Sequence, residues 1–173
     1  IEAGLVISQK WAERRRKMIL VVPSNLRKQW SIELQEKFFI PSTILEAKSF
    51  NEIINDGNLN PFDQKNSVSI CSYHFARNKA PYLKQIPWDL AIIDEAHRLR
   101  NVFKPSNKIA KEIKESLIDV PKILLTATPL QNSLLELYGL VSIIDEQIFG
   151  DLKSFKSQYS RISQVQDIYE NEL

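Results

Sequence analysis

The stretch Leu90–His97, with the sequence LAIIDEAH, decides the fold of this chain. Four apolar residues followed at once by two acids are typical of a strand that is covered on both faces and ends at a polar edge. In open α/β sheets, ligands bind at the carboxyl ends of the strands. We therefore take Asp94 and Glu95 as the first candidate site residues.

Other segments repeat this pattern of buried strands separated by helices. Three further apolar runs are continuous: Met18–Val22, Val68–Cys71 and Ile123–Leu125. Thr43–Leu45 is a weaker candidate strand. Between them, apolar residues recur with a helical period at Leu26, Trp30, Leu34 and Phe38, and again at Ile109, Ile113 and Leu117. Strands that alternate with amphipathic helices predict an α/β fold with a mainly parallel sheet flanked by helices.

The composition excludes several classes of protein. The length of 173 residues fits one domain, and the formal net charge of +2 neither requires nor excludes nucleic acid. Cys71 is the only cysteine, so an internal disulfide is impossible and a zinc site is not expected. No apolar run approaches the ~20 residues that cross a bilayer. We expect an intracellular protein in which Trp11, Trp30 and Trp88 bury against the sheet.

Local signals predict two helix starts and one loop. Ser24 or Asn25 is expected to cap the helix that begins near Leu26, and Ser49 with Glu52 forms a capping-box pattern for the next helix. The stretch Asn58–Asp63 is expected to be an exposed loop.

Two polar strand ends carry the predicted chemistry. An acid directly after a buried strand is where P-loop NTPases place the carboxylate that helps to hold Mg²⁺, and a second acid can polarise the attacking water. Thr126 and Thr128 follow the last strand, and paired hydroxyls there can bond to neighbouring acids and transmit nucleotide state to the next helix. Each motif alone also fits an ordinary polar turn, whereas the two together point to a nucleotide site.

With both motifs in order, the chain resembles the superfamily-two helicases and, within them, the Swi/Snf-type DNA translocases. Asp94–His97, a DEAH box, resembles the second motif of the family, and Leu125–Asn132 resembles the third. Val21–Leu26 with Gln29 and Trp30 resembles motif Ia, and Ile70–Tyr73 resembles motif Ib; both motifs are associated with the nucleic-acid backbone. The opening segment and Asn60–Asp63 are similar to the bacterial RNA-polymerase-associated subgroup.

This resemblance implies a three-layer RecA-like lobe over residues 1–160, followed by a polar tail at 161–173. It implies ATP and Mg²⁺ as cofactors, with Asp94 as the metal-organising acid, Glu95 as the residue that activates water, and His97, Thr126 and Thr128 as coupling residues.

The resemblance also implies partners. Ser24, Asn25 and Ser72 would touch the phosphate backbone of double-stranded DNA, and a second RecA-like lobe would complete the active site. RNA polymerase or another nucleoprotein complex would be a further partner, and the protein would lie in the bacterial cytoplasm, associated with the nucleoid.

One part of the expected site does not occur in the sequence. A G-x-x-x-x-G-K-[ST] phosphate loop is absent, because the only glycines are Gly4, Gly57, Gly139 and Gly150. We expect that the chain begins just after this loop, that the fold is N-terminally truncated, and that the chain alone is inactive.

Three alternatives are compatible with the same residues. An RNA helicase or a restriction-type translocase subunit would share the acid motif, although Thr126–Asn132 favours the Swi/Snf type. A catalytically inert lobe that serves as a nucleic-acid-binding scaffold is the third, although the retained Asp94 and Glu95 argue against it.

Overall fold

The structure is a computed structural model that describes residues 2–128 and 134–159. Within these ranges, one parallel sheet has the strand order β2-β3-β1-β4-β5. The strands are β1 (Met18–Val22), β2 (Ser42–Leu45), β3 (Val68–Ser72), β4 (Leu90–Ile93) and β5 (Lys122–Leu124). The predicted parallel sheet is confirmed, and the weak fifth candidate is the edge strand β2.

Helices connect successive strands and cover the sheet. They are α1 (Glu2–Ala12), α2 (Arg27–Phe38), α3 (Ala47–Asn55), α4 (Tyr73–Asn78), α5 (Ala80–Leu83), α6 (Lys108–Ser116), α7 (Leu134–Ile144) and α8 at residues 152–159. Two short 3-10 turns, Ser24–Leu26 and Ala96–Leu99, follow β1 and β4. None of the helices in the described ranges combines the length and the apolar character needed to span a bilayer.

The sheet separates two apolar cores, which explains why its strands are continuously apolar. Along β1, Ile19 and Val21 belong to the core shared with α3 to α7, whereas Met18, Leu20 and Val22 belong to the core shared with α1 and α2. Successive side chains of a strand point to opposite faces, so a strand with two covered faces must be apolar throughout. The predicted three-layer α/β architecture is therefore confirmed.

The prediction of an exposed loop at Asn58–Asp63 is wrong in its second half. Phe62 is completely buried, and its ring makes edge contacts with Phe50 and Trp88 at centroid distances of 5.8 and 6.2 Å. Asn60 makes this possible, because its side-chain amide donates to the Tyr82 carbonyl at 2.8 Å and its Oδ1 accepts from the Phe62 amide at 3.1 Å. The polar side chain of the loop thus satisfies its buried backbone.

The helix starts also differ from the predicted caps. Ser24 and Asn25 lie in the 3-10 turn, and Leu26 occupies the N-cap position of α2 without a side-chain bond. In α3, Ser49 is the third helical residue rather than the cap, and its Oγ accepts from the amide of the N-cap residue Glu46 at 3.0 Å. Because residues Ser24–Leu26 form the 3-10 turn after β1, α2 begins only at Arg27.

Candidate active site

The carboxyl ends of four adjacent strands form one edge of the sheet. The register pairs Val22 with Ser72, Val21 with Ile93, and Ile93 with Leu124, so β3, β1, β4 and β5 end side by side. The predicted site residues all lie at or just after these ends: Ser24, Asn25, Ser72, Asp94, Glu95, His97, Thr126 and Thr128. The parallel topology therefore gathers residues from four separate segments along one edge.

Asp94 is held from several directions in the turn that ends β4. Its amide donates to the Val21 carbonyl at 3.0 Å, which continues the pairing of β4 with β1. Its Oδ1 accepts from the Glu95 amide at 2.9 Å, and its Oδ2 accepts from the indole Nε1 of Trp30 at 2.7 Å. The hydroxyl of Tyr73 donates to the Asp94 carbonyl. The half-buried carboxylate consequently has a defined orientation at the sheet edge.

Glu95 adopts a left-handed backbone conformation, with φ at 53°. A non-glycine residue in this region stores about 1–3 kcal/mol of strain, and such residues cluster at functional sites. The next amide, from Ala96, donates to the Leu125 carbonyl at 2.8 Å and so fixes this turn against the end of β5. The conformation leaves the Glu95 carboxylate partly exposed beside Asp94.

A polar chain connects the acid motif to the threonine motif. His97 Nδ1 lies 3.1 Å from Glu95 Oε2 and 3.5 Å from the Oγ1 of Thr126. Thr126 Oγ1 also accepts from the Thr128 amide at 3.2 Å. The structure thus brings Glu95, His97 and Thr126 together, whereas Thr128 joins through its backbone and is exposed. The rest of the third motif, residues 129–132, lies outside the described residues.

The candidate backbone-binding residues occupy the neighbouring strand ends. Ser24 and Asn25 are exposed in the 3-10 turn after β1. Ser72 is half-buried at the end of β3, where its Oγ caps α4 by accepting from the Phe75 amide at 3.2 Å. A hydroxyl that accepts one bond keeps its own proton, so Ser72 can still donate to an anion.

Two aromatic residues, Trp30 and Tyr73, lie in the segments that resemble motifs Ia and Ib, but the sequence did not predict that either contacts the acid motif. Trp30 packs against the apolar core of α1 and α2, as predicted, but its indole N–H also reaches the Asp94 carboxylate. Burial raises the pKa of the Tyr73 phenol, and the nearby Asp94 carboxylate raises it further, so this group stays a hydrogen-bond donor. The available signal was the donor group itself, because a buried indole or phenol needs a partner.

Helix α7 is attached closely to the segment that follows His97. Arg100 Nε lies 3.4 Å from Glu136 Oε1, and the Glu136 side chain is only 7% exposed. One turn further along α7, a Cβ atom at Gly139 would lie 1.9 Å from the Arg100 carbonyl oxygen. The helix therefore approaches this backbone as closely as the lack of a side chain permits.

The residues fit Mg²⁺ held jointly with a nucleotide. No group of three or more His, Cys, Asp or Glu residues in the described ranges could hold a metal ion alone. Mg²⁺ usually takes one or two protein carboxylates and completes its coordination with water and substrate phosphates. Each carboxylate oxygen of Asp94 accepts a hydrogen bond and keeps further lone-pair capacity, so Asp94 is suited to this role.

Comparisons with known proteins show the family of this chain. The family model described as the SNF2-related domain matches residues 3–172. RNA polymerase-associated protein RapA from Yersinia pseudotuberculosis serotype O:1b (strain IP 31758) is 30% identical over 96% of this chain, and so is RapA from Yersinia pestis (strain Pestoides F). The chain spans 18% of the length of these relatives.

A solved structure supports the fold independently. The SWI2/SNF2 ATPase core of Sulfolobus solfataricus, solved in complex with dsDNA, superposes with a TM-score of 0.68. The superposition covers 88% of this chain and 30% of that chain, at 23% sequence identity. The sheet has the RecA-like α/β fold, and the family match over nearly the whole sequence identifies this chain as a member of the SNF2-related domain family.

Proposed function

We propose that the whole protein is an ATP-dependent DNA translocase and that this chain forms part of its first RecA-like lobe. The observation that carries the proposal is the acid pair at the end of β4, in which Asp94 is oriented through both oxygens and Glu95 contacts His97. The membership of the SNF2-related family supports the same conclusion.

In this proposal the two acids divide the chemistry. Bound Mg²⁺ would neutralise developing charge on the phosphates, and Asp94 would help to hold it. Glu95, partly exposed beside Asp94, would orient the attacking water and accept its proton. His97 restrains the Glu95 carboxylate at 3.1 Å and links it to Thr126. The phosphate loop and the second lobe, with its arginine, would be supplied by other parts of the whole protein.

The proposed nucleic-acid partner is double-stranded DNA, contacted through its backbone. Ser24, Asn25 and Ser72 are small polar residues suited to phosphate oxygens, which carry no base sequence. The Sulfolobus ATPase core was solved in complex with dsDNA, and the Yersinia relatives are named as RNA polymerase-associated proteins. We extend both partners to the whole protein as proposals, together with a location in the bacterial cytoplasm.

The substitution Glu95→Gln in the whole protein tests the enzymatic proposal. We expect ATP hydrolysis to fall by at least about 100-fold, because the amide keeps the shape of the side chain but cannot accept a proton. Nucleotide affinity should remain largely unchanged. The measurements are steady-state phosphate release and equilibrium binding of a labelled nucleotide.

Glu52→Gln is the matched control, because Glu52 is exposed on α3. Its turnover should equal that of the wild type. If Glu95→Gln retains wild-type turnover, Glu95 does not activate water. If the wild type binds a duplex but hydrolyses no ATP in its presence, the inert scaffold is the correct alternative. Stimulation by RNA rather than by duplex DNA would favour an RNA helicase.

A further inference from the structure

The two segments proposed to bind the nucleic-acid backbone each contribute one hydrogen bond to Asp94. Trp30, in the first turns of α2, donates to Oδ2 of the carboxylate at 2.7 Å. Tyr73, the first residue of α4, donates to the carbonyl of the same residue. Two donors from different strand ends therefore converge on the one acid proposed to organise the metal.

Each donor lies on the same segment of the chain as a candidate backbone-binding residue. The 3-10 turn with Ser24 and Asn25 leads directly into α2, and Arg27 Nε donates back to the Ser24 carbonyl at 3.0 Å. Ser72 precedes Tyr73 in the sequence and caps its helix. A small movement of either segment would therefore be transmitted to the hydrogen bonds around Asp94.

The hydrogen bond of Trp30 differs from that of a purely structural indole. Trp88 is buried, and its Nε1 donates at 3.0 Å to the carbonyl of Leu83, five residues away in the same region. Trp30 instead donates to a carboxylate on another strand end, and hydrogen bonds to ionised groups are about twice as strong as neutral ones. The indole N–H of Trp30 therefore contacts the carboxylate that is proposed to organise the metal.

We propose that Trp30 and Tyr73 are positioning residues that couple phosphate-backbone binding at Ser24, Asn25 and Ser72 to the orientation of Asp94. The inference rests on the proposed function. With the indole on Oδ2 and the Glu95 amide on Oδ1, the plane of the carboxylate is set. Backbone binding shifts α2 and α4, and the two aromatic donors carry this shift to the acid. Removal of either donor weakens the link, while the Glu95 amide still holds Oδ1 of the carboxylate.

The test measures coupling as a binding quantity in the whole protein. The Kd for a short DNA duplex is measured by fluorescence anisotropy with and without Mg²⁺ and a non-hydrolysable ATP analogue. Coupled sites typically change each other's affinity by about 5–150-fold, and the effect is reciprocal. We define the coupling factor as the ratio of the two Kd values, and we expect the wild type to show a coupling factor in this range. Trp30→Phe and Tyr73→Phe should each reduce it to less than about threefold, because each loses its N–H or O–H donor but keeps an aromatic ring.

Trp88→Phe is the matched control, because it removes an indole donor from a buried hydrogen bond that precedes β4, whereas Asp94 follows the other end of that strand. Its coupling factor should equal that of the wild type, even where thermal denaturation shows an equal or larger loss of stability. Tyr73→Phe keeps the proposal testable if Trp30→Phe does not fold. The proposal is overturned if Trp30→Phe and Tyr73→Phe keep the wild-type coupling factor. It is also overturned if the coupling factor of the wild type is one. The proposed function fails separately if Glu95→Gln leaves turnover unchanged.

Discussion

Side chains at the sheet edge take their positions from residues far away in the sequence. The Trp30 donor lies 64 residues from its acceptor Asp94, and the Thr126 hydroxyl lies 29 residues from His97. These contacts exist because parallel strands bring their carboxyl ends to one edge. A residue of the same strands can equally be inert, and Cys71 is the clearest case.

Cys71 should be chemically silent in the folded chain. Its side chain is 0% exposed in β3, and burial raises the pKa of the thiol to about 12, so almost no reactive thiolate forms at neutral pH. We expect no reaction with an aromatic disulfide reagent over minutes in buffer and one equivalent of reaction in urea. Absorbance of the released thiolate measures both.

An exposed cysteine provides the comparison. Leu59→Cys in a Cys71→Ser background places a thiol at a position that is 91% exposed, and it should react within minutes without denaturant. Fast labelling of Cys71 in the native chain would contradict the burial of β3.

At the scale of elements, α7 is positioned by contacts with the segment that follows the acid motif. The ion pair between Arg100 and Glu136 and the close approach at Gly139 both join α7 to this segment. The contact joins α7 to the turn that carries the proposed nucleotide site.

Gly139→Ala tests this contact by the sign of its effect. Inside a helix, Gly→Ala normally stabilises by about 0.5–1 kcal/mol. Here the new Cβ would lie 1.9 Å from a backbone oxygen, so we expect a net loss of about 1–3 kcal/mol in the free energy of unfolding. Urea denaturation followed by circular dichroism measures it. A gain in stability would show that α7 does not approach Arg100 this closely.

The loop before β3 contains one buried and one exposed apolar residue. Phe62 is fully buried among aromatic rings, and Leu59, three residues earlier, is 91% exposed. We expect Phe62→Ala to lower the free energy of unfolding by about 3–5 kcal/mol, because it leaves a cavity in the core. Leu59→Ala should change it by less than about 0.5 kcal/mol. If urea denaturation shows the same loss of stability for both variants, the loop is exposed at Phe62, as expected from the sequence.

At the scale of the whole molecule, the described residues form a covered sheet whose carboxyl edge carries Asp94 and Glu95 but no glycine-rich loop. The four glycines of the sequence lie at positions 4, 57, 139 and 150, and none belongs to a G-x-x-x-x-G-K-[ST] pattern. In P-loop proteins the phosphates are held mainly by backbone N–H groups of that loop and by its lysine. An acid that reaches only the metal cannot replace them.

The 173-residue chain alone should therefore neither hydrolyse ATP nor bind Mg²⁺-ATP with useful affinity. Calorimetric titration of the purified chain should show no saturable heat in the micromolar range, because the proposed Asp94 contact supplies only part of the site. Asp94→Ala should behave identically in the same titration. Saturable micromolar binding that Asp94→Ala abolishes would show that the acid edge holds the nucleotide without a phosphate loop.

Much of the fold could be predicted because burial on two faces leaves a direct trace in the sequence. β1 and β4 begin and end where their apolar runs do, because both faces of these strands are buried and every side chain along them must be apolar. The differences have another cause. The local preferences of Asn60 predict an exposed loop, whereas its bond to the Tyr82 carbonyl depends on how the chain returns in space. The start of α3 is displaced because β2 runs to Leu45, which leaves Glu46 at the N-cap.

The amino-acid sequence by itself determined the parallel α/β class, the family resemblance and the acid and threonine motifs, because these depend on local pattern and order along the chain. Only the tertiary structure decided that Trp30 and Tyr73 share Asp94, and that Phe62 belongs to the core. The physical reason is that an aromatic residue carries both an apolar ring and, in Trp and Tyr, a donor. Its neighbours in space decide which of the two is used.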